Sequence, residues 1–168
     1  NLASTLAVLG HTPILRVLRC LPMKRKFWVD TDTASDDAVA LIMAFMHPDI
    51  DVVGVSIVAG NVPLDMGVQN ALYTAELCQA TMPVYAGAAK PLSRELGTAQ
   101  FVHGEDGMGD IGLVLSGRAP TPGKAVDKLI EALHANAGHI ELVTLGPLTN
   151  IALALQKDPS IAKTVKRC

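Results

Sequence analysis

The sequence predicts an α/β domain: an open, mostly parallel sheet with helices on both faces. Three observations carry this. Apolar runs of strand length alternate with longer stretches of helical periodicity. The segment around Val52, Val53, Val55, Ile57 and Val58 is apolar at nearly every position, as a parallel strand covered on both faces requires. Four aspartates, Asp30, Asp32, Asp36 and Asp37, fall between a short apolar strand and an apolar helix, at the strand end where open α/β sheets bind ligands.

The elements follow in order. Phe27 to Asp30 reads as a short buried strand, preceded by Lys24-Arg25-Lys26 as a solvated edge. Ser35 or Asp36 is placed to cap a helix running to about Met46, and His47-Pro48 ends it because the residue before proline avoids the helical region. Asp51 to Ala59 is the second strand, closed by Gly60-Asn61. Pro63 starts a long helix that reaches Gln79, with Cys78 on its apolar face as a core filler. Met82 to Tyr85 is a third strand. Positions 86 to 118 are glycine-rich and aperiodic, a long loop of the kind that usually carries function. Lys124 to Asn136 is helical, with Ala125, Leu129, Ile130 and Leu133 on one face. His139 to Leu145 is a strand, and Thr149 caps a last helix to Gln156 after the Gly146-Pro147 turn.

Composition bounds the function. The chain has 168 residues, enough for one domain, with 49% apolar and 18% charged residues. A net charge of −2 and the lack of a long basic run argue against nucleic-acid binding. No stretch reaches the roughly 18 apolar residues of a membrane span. The three cysteines, Cys20, Cys78 and Cys168, show neither metal-ligand spacing nor pairing logic, which fits a reducing compartment such as the cytoplasm. Residues 1–22 read as a non-native or poorly ordered extension before Met23, and residues 23–168 as the amino-terminal part of a domain truncated at its carboxyl end.

The acidic turn is the strongest chemical signal. Four carboxylates this close cannot all be buried without a cation or water. Asp36 and Asp37 alone could serve the helix dipole, but that leaves Asp30 and Asp32 unexplained. An oxygen-only donor set suits a hard cation, Ca²⁺ or Mg²⁺. Asn61 and the strand end at Leu145 stand at neighbouring strand termini, where an amide can bind a hydroxyl and a main-chain carbonyl can ligate a cation. His103, between the glycines of the long loop, can reach over such a site and titrate near neutral pH. Neither a phosphate-cradling glycine loop nor a nucleophile elbow is present, and Ser35 lacks the glycine frame of a nucleophile.

In this order, Asp30-Thr31-Asp32-Thr33-Ala34-Ser35-Asp36-Asp37-Ala38, Val58-Ala59-Gly60-Asn61, Asn70-Ala71-Leu72, Val84-Tyr85-Ala86-Gly87 with Lys90-Pro91-Leu92, His103-Gly104-Glu105-Asp106-Gly107 and Leu145-Gly146-Pro147-Leu148-Thr149-Asn150 resemble the inosine–uridine-preferring nucleoside hydrolase family. The resemblance covers residues 24–167 and departs mainly at Thr33-Ala34, where many members have Pro-Gly. It implies a Rossmann-like nucleoside hydrolase fold and Ca²⁺-assisted cleavage of the N-glycosidic bond of ribonucleosides to free base and ribose. It implies Asp32, Asp37 and the main-chain carbonyl of Leu145 as metal ligands, and Asp32 as the base that takes a proton from water. It further implies Asp36 and Asn61 on ribose hydroxyls, His103 near the base, and two residues behind the site, Asp30, which orients the turn, and Asn70. A small ribonucleoside is then the partner, in a homo-oligomer when the protein is full length. The family's fourth protein ligand comes from a carboxyl-terminal half, so this chain by itself is expected to be weakly active or inactive. Two other readings compete. A haloacid-dehalogenase-type Mg²⁺ phosphatase also has Asp-x-Asp after its first strand, but Thr144 and Lys90 are poor counterparts of the phosphate-binding residues it needs. A non-catalytic fragment that binds ribose or a cation is the third.

Overall fold

The computed structural model describes residues 24–168. The expected extension over residues 1–22 and Cys20 therefore lie outside the described residues.

Four parallel strands form one sheet: β1 (Arg25–Thr31), β2 (Ile50–Ile57), β3 (Val84–Ala86) and β4 (Ile140–Thr144), in the order β3-β2-β1-β4. Between and after them come α1 (Ser35–Met46), α2 (Leu64–Leu77), a short α3 (Gln100–His103), α4 (Ala125–Ala135) and α5 (Thr149–Lys157), followed by a 3₁₀ turn at Pro159–Lys163. The topology is the predicted one. The strands alternate their side chains between two cores. Val29, Val55 and Ile57 face Leu41 of α1 and Val68 and Ala71 of α2. Trp28, Ile140 and Leu142 face Leu129 and Leu133 of α4, Ala154 of α5 and Ile161. Adjacent residues Trp28 and Val29 thus belong to opposite layers, because the side-chain period of a strand is two.

Several expectations need correction. Arg25 and Lys26 do not precede β1 but are its first residues, paired with Ile50 and Ile140, while the Lys24 and Arg25 side chains stay exposed as expected. The Arg25 and Lys26 side chains have partners: Arg25 on Glu141 and the Lys26 ammonium on Asn136 Oδ1 at 2.6 Å. Such pairs let the strand extend through charged residues. The residue at the start of α1 is Ala34, with no side-chain cap, and α5 likewise starts after Leu148 without one. Ser35 and Thr149 lie inside their helices instead. Cys78 follows α2 and is only half-buried, so it does not fill the core. The long loop contains α3, four residues too short to leave a periodic signal.

At the amino-terminal foot of β4, buried Glu141 draws in three cations. Arg25 binds it through two nitrogens, Lys166 reaches it at 3.1 Å and Arg167 at 3.5 Å. The hydrogen bond from Arg25 is the main cause holding the Glu141 carboxyl down at about 2. The backbone follows: Lys166 N donates to Ile140 O and Leu142 N to Arg167 O, so the chain pairs along the outer edge of β4. Among the described residues no helix is long and apolar enough to cross a membrane.

Candidate active site

The carboxyl ends of β1, β2 and β4 converge where the sequence placed the site. β1 ends in Asp30 and Thr31, both fully buried, and runs on through Asp32 and Thr33, which are also buried. Thr33 has a φ of +20°, rare for a β-branched residue. Local bonds hold it: its N–H donates to Thr31 Oγ1 at 3.0 Å, and its carbonyl accepts from Asn70 Nδ2 at 3.0 Å. The tight turn throws Asp37, in the first turn of α1, back over the strand end. Thr31 Oγ1 donates to Asp37 Oδ2 at 2.7 Å.

The electrostatics of this turn are unfavourable in the protein alone. Burial pushes Asp37 up to about 7; the Thr31 hydroxyl opposes this, while the adjoining Asp32 carboxyl and Asp36 add to it. Burial also lifts Asp30 to about 6, against hydrogen bonds from Ser56 and Asn150. Asp30 Oδ1 and Asp32 Oδ1 are buried with no hydrogen-bond partner among the described residues. Unpartnered buried carboxylate oxygens cost free energy unless something positive meets them.

The backbone clears space for Asp32. A Cβ on Gly60 would collide with its carboxylate, and one on Gly146 would stand 2.9 Å from Asp32 Oδ1. The Asn61 N–H donates to Asp32 Oδ2 at 2.5 Å. Asp32, Gly60, Asn61, Leu145, Gly146 and Pro147 share a cavity of about 270 Å³, with Arg94 and Pro91 from the long loop on its other wall. Leu145 is held there by its N–H, which donates to Asp30 O at 2.8 Å.

Asp36 and His103 form a separate pair beside this cavity. The Asp36 side chain is exposed and lies 3.8 Å from His103 Nδ1. His103 is not a free reach between glycines but the last residue of α3, mostly buried, with its Nδ1 3.0 Å from Ser35 Oγ. The structure thus gathers Asp32, Asn61 and Leu145 in one cavity. It sets Asp37 against Asp32 and leaves Asp36 with His103 at the mouth of α1.

Support behind the site comes from residues whose roles the sequence did not reveal. Asn150 is buried and bridges three segments: its Nδ2 donates to Asp30 Oδ2 at 2.9 Å and to Ile57 O at 3.1 Å, and its Oδ1 accepts from Ala88 N at 2.8 Å. Ser56 donates to Asp30 Oδ2 and accepts from Trp28 Nε1 at 2.9 Å. Only the strand-end position of Asn150 hinted at this; Ser56 gave no signal, being one polar residue in an apolar strand.

A cation fits this arrangement in part. The donors are all oxygens, one of them, Asp32 Oδ1, without a partner among the described residues, and glycines leave room before Asp32. Among the described residues, however, no three His, Cys, Asp or Glu side chains gather as a metal cage.

Known proteins place these features. Residues 27–168 match the profile described as inosine-uridine preferring nucleoside hydrolase. A Schizosaccharomyces pombe protein, C1683.06c, is 44% identical over 84% of this chain and 46% of its own. The pyrimidine-specific ribonucleoside hydrolase RihB of Escherichia coli is 40% identical over 85% of this chain and 46% of its own. The solved plant nucleoside hydrolase PpNRh1 superimposes with a TM-score of 0.79 at 40% identity, covering 84% of this chain and 45% of that one. The chain thus spans about half the length of the relatives it matches. A match over nearly all the described residues means that the chain belongs to the inosine–uridine-preferring nucleoside hydrolase family.

Proposed function

We propose that this chain contributes the metal- and ribose-binding half of a hydrolase that cleaves the N-glycosidic bond of ribonucleosides to free base and ribose. The observation that carries the reading is the buried Asp32–Asp37 pair with an unpartnered oxygen facing a glycine-lined cavity. Asp32, Asp37 and the Leu145 carbonyl would hold Ca²⁺, the remaining ligands coming from outside these residues. Bound there, Ca²⁺ would supply positive charge that orients water and acidifies it. Asp32 accepts the proton of the attacking water, held in place by the Asn61 N–H. Asn61 and Asp36 bind ribose hydroxyls, and fixing sugar and water together supplies on the order of 7–11 kcal/mol. Positive charge growing on the ribose ring is stabilised by the surrounding carboxylates. His103 stands on the Asp36 side of the site, where the base would lie. The natural assembly is a homo-oligomer, a reading supported by family membership, and its compartment the cytoplasm, which the free thiols Cys78 and Cys168 fit.

The test uses this chain and a chimera in which the second half of RihB completes it. Release of reducing sugar from inosine or uridine by the chimera, with Ca²⁺, is the expected result. A folded chimera that binds no Ca²⁺ by calorimetry and releases no sugar would sink the reading. The phosphatase alternative is not favoured, since the whole matched span belongs to the hydrolase family.

A further inference from the structure

Asn70 lies in the middle of α2 with no exposed surface. Its carboxamide nitrogen serves two separate loops. It donates to the carbonyl of Thr33, in the turn that carries the aspartates, at 3.0 Å, and to the carbonyl of Asp106, three residues beyond His103, at 3.1 Å. The amide oxygen has no partner. A residue needed only for volume would be better served by an apolar side chain, since a buried orphan oxygen costs about 1–3 kcal/mol. The loop seats closely on this amide. A Cβ on Gly107, whose φ is +72°, would stand 3.2 Å from Asn70 Nδ2 and 2.5 Å from Val62 Cγ1. Further ties between turn and loop run from His103 Nδ1 to Ser35 Oγ at 3.0 Å and to the Asp36 carboxylate at 3.8 Å.

We propose that Asn70 is a positioning residue: one carboxamide, anchored on a packed helix, clamps the glycine-rich loop to the carboxylate turn and so sets where His103 stands relative to Asp32 and Asp36. The catalytic consequence rests on the function proposed above; the clamp itself does not. Neither loop has a regular element of its own to fix it, apart from the single turn of α3. The Thr33 carbonyl, in its unusual conformation, is kept facing α2 by the same group that holds Asp106.

The experiment is residue-resolved amide hydrogen exchange on the purified chain, which needs no activity. Asn70→Asp keeps the volume but turns acceptors toward two carbonyl oxygens. Exchange at Thr33, Gly107 and Gly109 is expected to accelerate about tenfold or more, with less than about twofold change at Val55 and Leu142 in the sheet. Gly107→Ala is the second variant, and it decides the matter if Asn70→Asp does not fold. It lifts the loop from the amide without touching the turn, so Gly109 should accelerate while Thr33 does not. Unchanged exchange in the loop, or a uniform rise through the sheet, overturns the clamp. In the chimera, Asn70→Asp should lower kcat and leave His103→Ala little further to remove; fully additive losses would show that Asn70 does not act through His103. An inactive wild-type chimera would count against the proposed function, while the exchange data still decide the clamp.

Discussion

Two clusters of buried carboxylate stand at opposite ends of this sheet, and they are built in opposite ways. At the foot, Glu141 is surrounded by Arg25, Lys166 and Arg167, which hold its acidity at about 2. At the other end, Asp30 and Asp37 have no cation from the described chain, and burial lifts them to about 6 and about 7. All three are nearly inaccessible to solvent, but Glu141 lies just beneath the surface and Asp30 and Asp37 sit deeper, so burial penalises the aspartates more. The second difference is the source of positive charge. The carboxylate at the foot is neutralised by its own chain, while those beside Asp32 have no counter-charge among the described residues, a cost that folding tolerates.

The contrast can be broken hardest at Asp32. In the RihB chimera, Asp32→Asn should lower kcat by about 10³-fold, a loss typical of removing a charged group from a prearranged site. Circular dichroism of the variant should be unchanged; a loss below about tenfold would remove Asp32 from the chemistry. Next in size is the cation itself. If the acidic end awaits Ca²⁺, a hundredfold excess over Kd should stabilise the protein by about 2.7 kcal/mol. The same addition should do nothing in Asp32→Asn, and denaturant titrations with and without Ca²⁺ read both. At the foot, Glu141→Gln should cost about 2 kcal/mol, below the 3–5 of a fully buried broken pair because its cationic partners are half-exposed and screened. A neutral result would mean that the foot cluster is as dispensable as a surface pair.

The sharpest distinction is in pH. Asp30 and Asp37 have folded values above the unfolded value, so the native state binds more protons than the unfolded one. Stability of the cation-free protein is therefore expected to fall as pH rises from about 4 through 7. Glu141, depressed to about 2, behaves oppositely: its contribution is present above its ordinary value near 4.5 and is lost as pH falls toward 2. Urea midpoints at pH 5 and pH 8 should differ without Ca²⁺ and converge with it. A midpoint that rises from pH 5 to pH 8 without Ca²⁺ would contradict the electrostatics of the turn.

How much of this the sequence disclosed follows from range. β2 and α1 were legible because their patterns are local: a β-branched run, and an apolar helix stopped by His47-Pro48. The convergence of Asp32, Asn61 and Leu145 was legible because parallel strands end on one side of a sheet. What was hidden depends on partners far along the chain. Asp30 is gripped by Asn150, 120 positions away, and Arg25 by Glu141, 116 away. No periodicity encodes such pairs. The helix starts misled for another reason. Ser35 is a good cap by type, but its hydroxyl meets His103, and the turn at Thr33 already fixes where α1 begins. Asp36 was grouped with the other acids by proximity in sequence, yet one helical step turns it outward while Asp37 is buried.

The chain has a single tryptophan, and its indole N–H rests on the Ser56 hydroxyl that in turn grips Asp30. That relay gives the molecule an optical reporter wired to its acidic end through one atom. Proton loss at Asp30, or charge arriving beside it, changes the field at the indole, so Trp28 emission offers a label-free view of the acidic end from the same face of β1.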